Sequence, residues 1–380
     1  MPAHRFGKNN AASVLNSLKQ NLMSTVDILN SPDLKAELEE TLHDDKSLPD
    51  KYMSDLAADV VDLLAELDKM LQPAHLVLAD HFLGYTDTKC LVAANELRIS
   101  DILAPAPLPL IELAKASSAR PDRLCQILNP LCNNGIFHYN SSTASARSDA
   151  VRWAAQINFD TDSNLFDYFN AQGWVPRLHR TLGGGANAMA PGIVQDYPWA
   201  EAAGNKTVPD LGGGGGSFIA TLLENFPDTR GSIYDLPHII AHTSDLFSPG
   251  AKFEHLIDRV PQANLIAGDF FKWVPPSKVY TMKWVLHDWL DEPAVTILKN
   301  VRKAIVSGPE SRLVVLDSIL SEGRMGRLSR YGDINMMMTT NEQERTMAQW
   351  EKLASGAGWR IEKVYKLRDA WVQAIDLRPE

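Results

Sequence analysis

The stretch VPDLGGGGGS, residues 208–217, places five consecutive glycines directly after a short apolar run and an aspartate. Glycine adopts positive φ angles without penalty and lets a ligand approach the backbone closely. The dinucleotide fingerprint G-x-G-x-x-G fits imperfectly, because its last position, counted from Gly212, falls on Ser217. The spacing Asp-x-Gly-x-Gly-x-Gly fits at Asp210, Gly212, Gly214 and Gly216. Taken alone, the stretch predicts either a nucleoside-binding turn or a flexible linker.

Short apolar strands alternate with helical segments after residue 206. The predicted strands are TVPDL, GSIYDL, ANLIAGDF, KVYTMKWVL and RLVVLDSIL, and the predicted helices cover residues 218–225, 239–246 and 293–306. This rhythm predicts an α/β fold with a Rossmann-like, doubly wound parallel sheet. Proline removes a ladder hydrogen bond, so we expect the first strand to be interrupted at Pro209 or not to need that donor.

Two acidic residues follow the second and third predicted strands. Asp235 ends the second, where its carboxylate can accept hydrogen bonds from both hydroxyls of a ribose, and Asp269 with Phe270 ends the third, where the two can frame an adenine. Ligands of open α/β sheets bind at the carboxyl ends of the strands. Together with the glycine turn, these residues favour a nucleoside site over a linker.

The residues before this sheet are predicted to be helical. Residues 1–50 are polar with helical patches and form an N-terminal helical extension, and an apolar helical stripe then runs from Leu56 to Leu71. Helices followed by a turn at Asn133-Asn134-Gly135 and a short strand predict a winged-helix-like module over residues 51–150. The catalytic domain is predicted over residues 151–380 and includes pocket helices over residues 151–200.

Aromatic residues are concentrated between residues 153 and 199, and GGGANAMAPG, residues 183–192, is expected to interrupt this segment. Aromatic rings beside flexible glycines suit a pocket for a flat organic molecule. The alternative is that these rings fill a domain interface.

Composition excludes several classes of partner. The net charge of -10 without a basic stripe argues against nucleic acid and against an anionic membrane surface. No apolar run approaches the roughly 18 residues of a spanning helix, and the polar N-terminus is unlike a signal peptide. Three cysteines without C-x-x-C spacing predict buried thiols in a reducing compartment and no metal site. A cytoplasmic protein with a small-molecule substrate is expected.

The order of these motifs resembles that of a known enzyme family. VPDLGGGGGS, YDLPHII, AGDFF, MKWVLHDWLDEPAVTILKNVRKAI, LDSIL and NEQERTMAQWEKLASGAGW follow one another as in the class I small-molecule O-methyltransferases of the caffeate and hydroxyindole type, in their fungal secondary-metabolism branch. The resemblance covers about residues 55–375 and is densest over residues 206–362. It implies a class I methyltransferase domain behind a helical, winged-helix-like dimerisation domain, and hence a homodimer formed through the N-terminal domain.

The resemblance also implies the roles of individual residues. The cofactor S-adenosyl-L-methionine, converted to S-adenosyl-L-homocysteine, is expected beside Gly212, Gly214, Asp235, Asp269, Phe270 and Lys283. His287, in LHDW, matches the catalytic base, and Asp317 and Glu344 match the two acids that flank it. The family commonly carries glutamate where Asp317 stands, so this side chain reaches less far. Relatives usually carry a longer segment where this chain has residues 140–153.

The chemistry is consistent with these roles. A methyl group on a sulfonium is already activated, so the enzyme mainly positions the acceptor and removes its proton. A histidine titrates near neutrality, and a carboxylate on its other nitrogen fixes the tautomer. Without the family, the sequence favours a core or helix-capping histidine at position 287 over a base. Candidate substrate contacts are Trp174, His179, Met336 and Met337, although methionine runs are more often core and His179 could be solvated.

Three other functions are compatible with parts of the sequence. Some fungal relatives of this family catalyse pericyclic or other rearrangements and use the charge of the bound cofactor electrostatically. The intact His287 and Glu344 favour methyl transfer instead. A nicotinamide dehydrogenase is disfavoured by the glycine spacing, and a catalytically inactive scaffold is disfavoured by the intact cofactor residues and base.

Overall fold

A computed structural model describes residues 8–43, 50–137, 159–161, 163, 165–321, 326–368 and 370–380. The chain divides into two compact units, Met1–Gln72 and Pro73–Glu380. The first contains helices α1 (Lys8–Leu29), α2 (Pro32–Leu42) and α3 (Lys51–Leu71). None of the described residues of this unit is buried, and most of the apolar stripe predicted between Leu56 and Leu71 is exposed on α3. Among the described residues, no helix is both long enough and apolar enough to span a membrane.

The second unit begins with a group of helices. These are α4 (Ala74–Leu83), α5 (Tyr85–Glu96), α6 (Ile99–Leu103), α7 (Leu110–Ala116) and α8 (Pro121–Asn133). Leu124 and Leu131 of α8 are fully buried against residues of the neighbouring helices. A turn follows α8 at Gly135, whose φ is 77°. The short strand expected next falls mostly outside the described residues, as does the segment 140–153.

A seven-stranded sheet forms the centre of the second unit. Its strands are β1 (Thr207–Leu211), β2 (Arg230–Asp235), β3 (Leu265–Ala267), β4 (Val279–Lys283), β5 (Arg312–Asp317), β8 (Trp359–Lys366) and β9 (Gln373–Pro379). Their order in the sheet is β3-β2-β1-β4-β5-β9-β8. Strands β1 to β5 are parallel. This arrangement confirms the predicted doubly wound sheet and brings the carboxyl ends of β1, β2, β3 and β4 to one edge.

Among the described residues, eight helices lie around this sheet, and the three between its parallel strands, over residues 217–225, 237–246 and 291–304, match the predicted helices to within two residues. The eight helices are α9 (Leu165–Ala171), α10 (Val175–Asp196), α11 (Trp199–Ala202), α12 (Ser217–Asn225), α13 (Pro237–Leu246), α14 (Asp291–Ala304), α15 (Arg327–Thr339) and α16 (Met347–Gly356). A separate two-stranded ladder pairs β6 (Ile319–Leu320) with β7 (Arg345–Thr346).

Pro209 does not interrupt β1, which runs in continuous register with β2 and pairs Pro209 with Ser232. The amide of Gly212 donates to the carbonyl of Tyr234, and the carbonyl of Lys206 accepts from Arg230. Since alternate residues of a strand bond to the same neighbour, the even-numbered residues of β1 face β2. The missing donor of Pro209 therefore points towards β4, where Asp210 and Thr281 form the single recorded pair.

The expectation that the glycines of residues 183–192 are flexible is wrong, because α10 continues through all of these residues. Close packing explains the helix despite its glycines and proline. A Cβ on Gly192 would lie 1.8 Å from the carbonyl oxygen of Arg368, and a Cβ on Gly185 would lie 3.3 Å from the Trp284 ring. Gly185 and Gly192 thus allow the neighbouring segments to approach α10 closely.

Candidate active site

The glycine turn after β1 depends on backbone angles that glycine adopts most readily. Gly212, Gly214 and Gly216 have φ angles of 73°, 53° and 76°. A Cβ on Gly212 would lie 2.8 Å from Cγ2 of Val285, and one on Gly216 would lie 2.6 Å from Cδ1 of Ile233. The stretch is therefore an ordered turn that begins α12, and the linker interpretation fails.

Asp235 closes this turn from the end of β2. Its Oδ2 accepts from the amide of Gly214 at 2.9 Å, and its Oδ1 accepts from the amide of Leu236 at 2.7 Å. Burial raises the pKa of this carboxyl, while the two amides act in the opposite direction. A carboxylate has about four acceptor sites, so Asp235 retains capacity for the hydroxyls of a ribose.

Asp269 and Phe270 lie after β3 on the same edge of the sheet. Oδ1 of Asp269 accepts from the amide of Phe271 at 2.9 Å, and its Oδ2 lies 3.1 Å from Nζ of Lys272. Phe270 lies over the glycine turn, since a Cβ on Gly212 would be 3.8 Å from its Cε1. The structure thus brings Gly212, Phe270 and Val285 together.

Lys283 is the last residue of β4, which lies on the other side of β1 from β2. Its Nζ lies 3.8 Å from the centroid of the Trp284 ring. Burial lowers the pKa of this ammonium, and the carboxylates of Asp210 and Asp317 oppose that effect. The side chain lines a small cavity together with Ser217 and Phe218 of α12. Lys283 therefore shares a wall with the first turn of the helix that follows the glycines.

The S-adenosylmethionine that the resemblance implies fits these residues. The turn has no room for side chains at Gly212 and Gly216, and the half-buried carboxylate of Asp235 bonds to the amide of Gly214 within it. Phe270 offers a ring beside the turn, and Asp269 adds a second carboxylate. A polar, purine-bearing ligand finds both its donors and its ring matched by this set.

His287 lies in a short 3₁₀ turn, Leu286–Asp288, that follows β4. Its Nδ1 lies 2.9 Å from Oε1 of Glu344 and 3.9 Å from Oδ1 of Asp317, and its Nε2 lies 3.7 Å from Oδ1 of Asp288. The structure therefore brings the three predicted residues together, with Glu344 in hydrogen-bond contact and Asp317 behind it. The shorter side chain of Asp317 accounts for the longer distance.

These carboxylates change the acidity of the imidazole. Burial lowers the pKa of His287, but Glu344, Asp317 and Asp288 outweigh burial together and raise this pKa to about 10. Burial raises the pKa of Asp317, which is fully buried and has no hydrogen-bond partner on either oxygen among the described residues. Burial also raises the pKa of Asp288, to about 6. Proximity to His287 opposes both increases.

Arg345 is a residue whose contribution the sequence reasoning missed. Its fully buried guanidinium donates to the carbonyl of Leu286 at 2.8 Å, to that of Trp289 at 2.6 Å and to Oδ1 of Asp291 at 3.1 Å. Glu344 and Arg345 thus hold the histidine and its turn from one short segment. The adjacent position of Arg345 in the ERT motif was the available signal.

Trp284 is a second missed residue. Its φ of 56° is unusual for a bulky residue, and it lies between β4 and the His287 turn. Its ring stacks on Trp371 with centroids 5.9 Å apart and planes 18° apart. Both rings contact the Gly185 face of α10. The stack therefore fixes an aromatic wall next to Lys283.

The predicted substrate contacts lie in two different surroundings. Trp174 precedes α10 and packs edge-on against Phe159, Tyr168 and Phe169, with centroids 5.6 to 6.2 Å apart. His179 lies within α10, but its side chain is outside the described residues. Met336 and Met337 lie on α15 and are half-buried. Met337 packs against the apolar cluster around α8, so its contacts match the core interpretation.

Comparison with known proteins places the chain in a family. Residues 201–360 match the O-methyltransferase domain, and residues 79–154 match the O-methyltransferase dimerisation domain. The chain is 50% identical to the O-methyltransferase aclM of Aspergillus oryzae, over 96% of this chain and 94% of that protein. It is 38% identical to the O-methyltransferase gliM of Aspergillus fumigatus, over 96% and 94%. The alignment with aclM spans 408 positions against 380 residues here, so that relative contains residues that this chain lacks.

The fold is shared with solved structures. Human N-acetylserotonin methyltransferase in complex with S-adenosylmethionine superimposes with a TM-score of 0.52 and 20% identity, over 81% of this chain and 98% of that one. This likeness supports the class I methyltransferase fold, and the closer sequence relatives support the activity. The chain belongs to the O-methyltransferase family and is a methyltransferase that depends on S-adenosylmethionine.

Proposed function

We propose that this enzyme methylates a hydroxyl group of an aromatic, alkaloid or polyketide-like secondary metabolite, with His287 as the general base. The observation that carries the proposal is the buried contact of 2.9 Å between Nδ1 of His287 and Oε1 of Glu344. A carboxylate at Nδ1 keeps the proton on that nitrogen, so Nε2 presents its lone pair. That nitrogen is the group which takes the proton of the acceptor hydroxyl.

The carboxylates around His287 set the strength of this base. They raise its pKa to about 10 against the effect of burial, so the imidazole holds a proton firmly once it has taken one. The raised pKa also makes the charged form predominate at neutral pH in the free protein. A cationic ligand in the adjoining crevice disfavours the imidazolium and returns the histidine towards its neutral, basic form.

The cofactor residues are proposed in the roles that the geometry allows. When bound, S-adenosylmethionine supplies an activated methyl group on a positively charged sulfur. Gly212 and Gly214 would lie against it, and Asp235 would accept from its ribose hydroxyls. Asp269 and Phe270 would flank its adenine, and Lys283 would contribute from the end of β4. Trp174, His179, Met336 and Met337 are proposed to contact the acceptor.

The active form is proposed to be a cytoplasmic homodimer joined through the N-terminal domain, with no nucleic acid or membrane partner. Helices α1 to α3 expose large apolar side chains and bury none of their described residues. A helix normally gains most of its stability from a buried apolar face. A second copy of the chain would cover this face and supply that burial. The proposed domain limits are residues 1–50, 51–150 and 151–380.

The experiment is mass spectrometry of the purified enzyme with methyl-labelled S-adenosylmethionine and an extract of fungal metabolites. We expect a labelled, methylated product together with S-adenosylhomocysteine. The rearrangement alternative predicts a different outcome, in which the cofactor binds, a metabolite is isomerised and S-adenosylhomocysteine does not form. The intact contact between His287 and Glu344 favours the first result.

A further inference from the structure

Two buried side chains lie directly behind Glu344. Asp333, on α15, is 3% exposed, and Gln126, on α8, is 7% exposed. They come from different parts of the second unit, because α8 belongs to the N-terminal helices and α15 follows β6. Both are polar residues in a largely apolar setting, so their placement needs hydrogen bonds to compensate for burial.

The hydrogen bonds of these two residues hold the backbone from Glu342 to Glu344. Oδ1 of Asp333 accepts from the amide of Glu344 at 2.9 Å and from Nε2 of Gln126 at 2.9 Å. The same Nε2 lies 3.3 Å from the carbonyl oxygen of Glu342. The backbone that carries the Glu344 side chain is therefore fixed from both helices.

Arg123 extends this array along α8. It donates to the carbonyl oxygen of Asn341 at 2.6 Å and also contacts the side chains of Asn341 and Gln126. Asn341 has a φ of 64°, in the left-handed region that asparagine tolerates better than most residues. The turn that leads into Glu344 is thus held in an unusual conformation by a side chain of α8.

We propose that Asp333 and Gln126 are positioning residues for methyl transfer, which hold the Glu344 peptide so that its carboxylate stays against Nδ1 of His287. The inference rests on the proposed function, since it needs His287 to act as the base. It assigns a role in catalysis to α8, which lies within the residues that match the dimerisation domain. The site is therefore incomplete without a helix of the N-terminal module.

The charge of Asp333 and its hydrogen bonds can be separated by mutation. Asp333→Asn keeps an acceptor oxygen for the amide of Glu344 and for Gln126, whereas Asp333→Ala removes it. Gln126→Leu keeps the approximate volume and removes the donor. A displacement of about 1 Å at a catalytic group costs about 100-fold in rate. We expect Asp333→Ala to lower kcat about 10- to 100-fold, Gln126→Leu to lower it less, and Asp333→Asn to restore most of it.

Tyr331→Phe is the matched control. The hydroxyl of Tyr331, also on α15, donates to Oδ2 of Asp87 on α5 at 2.7 Å. Its loss weakens the attachment of α15 to the N-terminal helices without touching residues 341–344. We expect this variant to keep kcat within about twofold of the wild type, and all variants to bind S-adenosylmethionine as the wild type does.

The decisive readout is the pKa of His287, measured by NMR on the full-length protein with ¹³C-labelled histidine and without acceptor. The His287→Gln variant identifies its signal among the ten histidines. If Glu344 loses its position, this pKa falls by about one unit or more in Asp333→Ala, and stays in Asp333→Asn and Tyr331→Phe. A lower kcat with an unchanged His287 pKa in both Asp333→Ala and Gln126→Leu would overturn the positioning role.

Failure of the proposed function gives a different pattern. If His287→Ala methylated the acceptor at the wild-type rate, His287 would not be the base, whatever the activity of the Asp333 variants. An inactive His287→Ala variant beside fully active Asp333→Ala and Gln126→Leu variants would contradict only the positioning role. Should Asp333→Ala fail to fold, Gln126→Leu decides, because it removes the donor from α8 while Asp333 still accepts from the Glu344 amide. An unchanged His287 pKa in Gln126→Leu would then overturn the positioning role.

Discussion

Oε1 of Glu344 lies 2.9 Å from Nδ1 of His287 although 57 residues separate them in the chain. The β6–β7 ladder explains how they meet. It pairs Ile319 with Arg345, so the residue before Arg345 comes to the end of β5, next to Asp317. The His287 turn follows β4, the parallel neighbour of β5. Sheet topology therefore places the histidine and both acids at one edge.

His287→Ala tests the base directly. General acid–base catalysis contributes about 10²- to 10⁴-fold, so we expect a loss of kcat in this range with nearly unchanged affinity for S-adenosylmethionine. The matched control is His255→Ala, since His255 also contacts a glutamate, Glu224, at 3.0 Å but on the surface. Isothermal titration and single-turnover assays separate binding from chemistry. Turnover at the wild-type rate by His287→Ala would show that His287 is not the base.

The pH dependence of kcat/KM should report the ionisation of His287. The base form exists above its pKa, so the rate rises with pH up to that value. The pKa of His287 is raised, mainly by Glu344 against the effect of burial, so Glu344→Gln should move the acidic limb to lower pH and lower the plateau. Asp317→Asn should shift the limb in the same direction with a smaller loss of plateau rate, because Asp317 lies 3.9 Å away. An unmoved limb in Glu344→Gln would contradict this assignment.

Gly332→Ala should separate stability from activity. A Cβ at Gly332 would lie 3.2 Å from Oε1 of Glu344, the oxygen that contacts His287. Alanine favours a helix by up to about 1 kcal/mol over glycine, so the melting temperature should hold or rise. Because the new methyl group displaces the carboxylate of Glu344, kcat should fall about 10-fold. Thermal unfolding and steady-state kinetics on one preparation check both effects, and a variant with unchanged kcat would show that Glu344 can adjust.

Arg345→Met should unfold the His287 turn. The substitution leaves the carbonyls of Leu286 and Trp289 without their donor, at a cost of about 3 kcal/mol for buried, charge-assisted hydrogen bonds. Arg360→Met is the control, because Arg360 pairs with Glu362 on the surface. Denaturant unfolding of both variants compares the costs. Equal stability of the two variants would argue that the turn holds without Arg345.

Asp235→Ala tests the ribose site. Hydrogen bonds to a charged group contribute about 1.5–3 kcal/mol, so the Kd for S-adenosylmethionine should rise about 10- to 100-fold. The substitution also frees the amide of Gly214, which loosens the turn. Asp245→Ala, an exposed position on α13, is the control. Calorimetric titration of S-adenosylhomocysteine gives the same comparison without turnover, and an unchanged Kd would exclude Asp235 from the site.

Much of the candidate nucleoside site, at the carboxyl ends of β1, β2 and β3, could be predicted from the sequence because each of its features is local. Gly212 and Gly214 have positive φ angles, Asp235 is the last residue of β2, and Asp269 lies two residues after β3. Local turn chemistry and strand periodicity are the signals that a single sequence carries best. The expectation that Glu344 lies beside His287 came from the family resemblance, since no local sequence pattern links residues so far apart in the chain.

The remainder depends on packing between distant segments. Trp284 and Trp371 pack against α10 at Gly185, and the Arg368 backbone packs against it at Gly192, whereas helix propensity alone predicts a break. Asp333 and Gln126 carry no motif, and only the fold brings them to Glu344. Strands β8 and β9 were not predicted, because neither belongs to the strand–helix alternation.

Strand β9 follows β8 in the chain but lies inside it, bonded to β5 on one side and to β8 on the other. During synthesis, β8 therefore leaves the ribosome before the strand that attaches it to the sheet. Until residues 373–379 have emerged, β5 presents a bare edge and β8 has nothing to pair with. The β8 edge of this sheet thus forms only after β9 has emerged, and a nascent chain halted before residue 373 should be captured by chaperones that bind exposed strands.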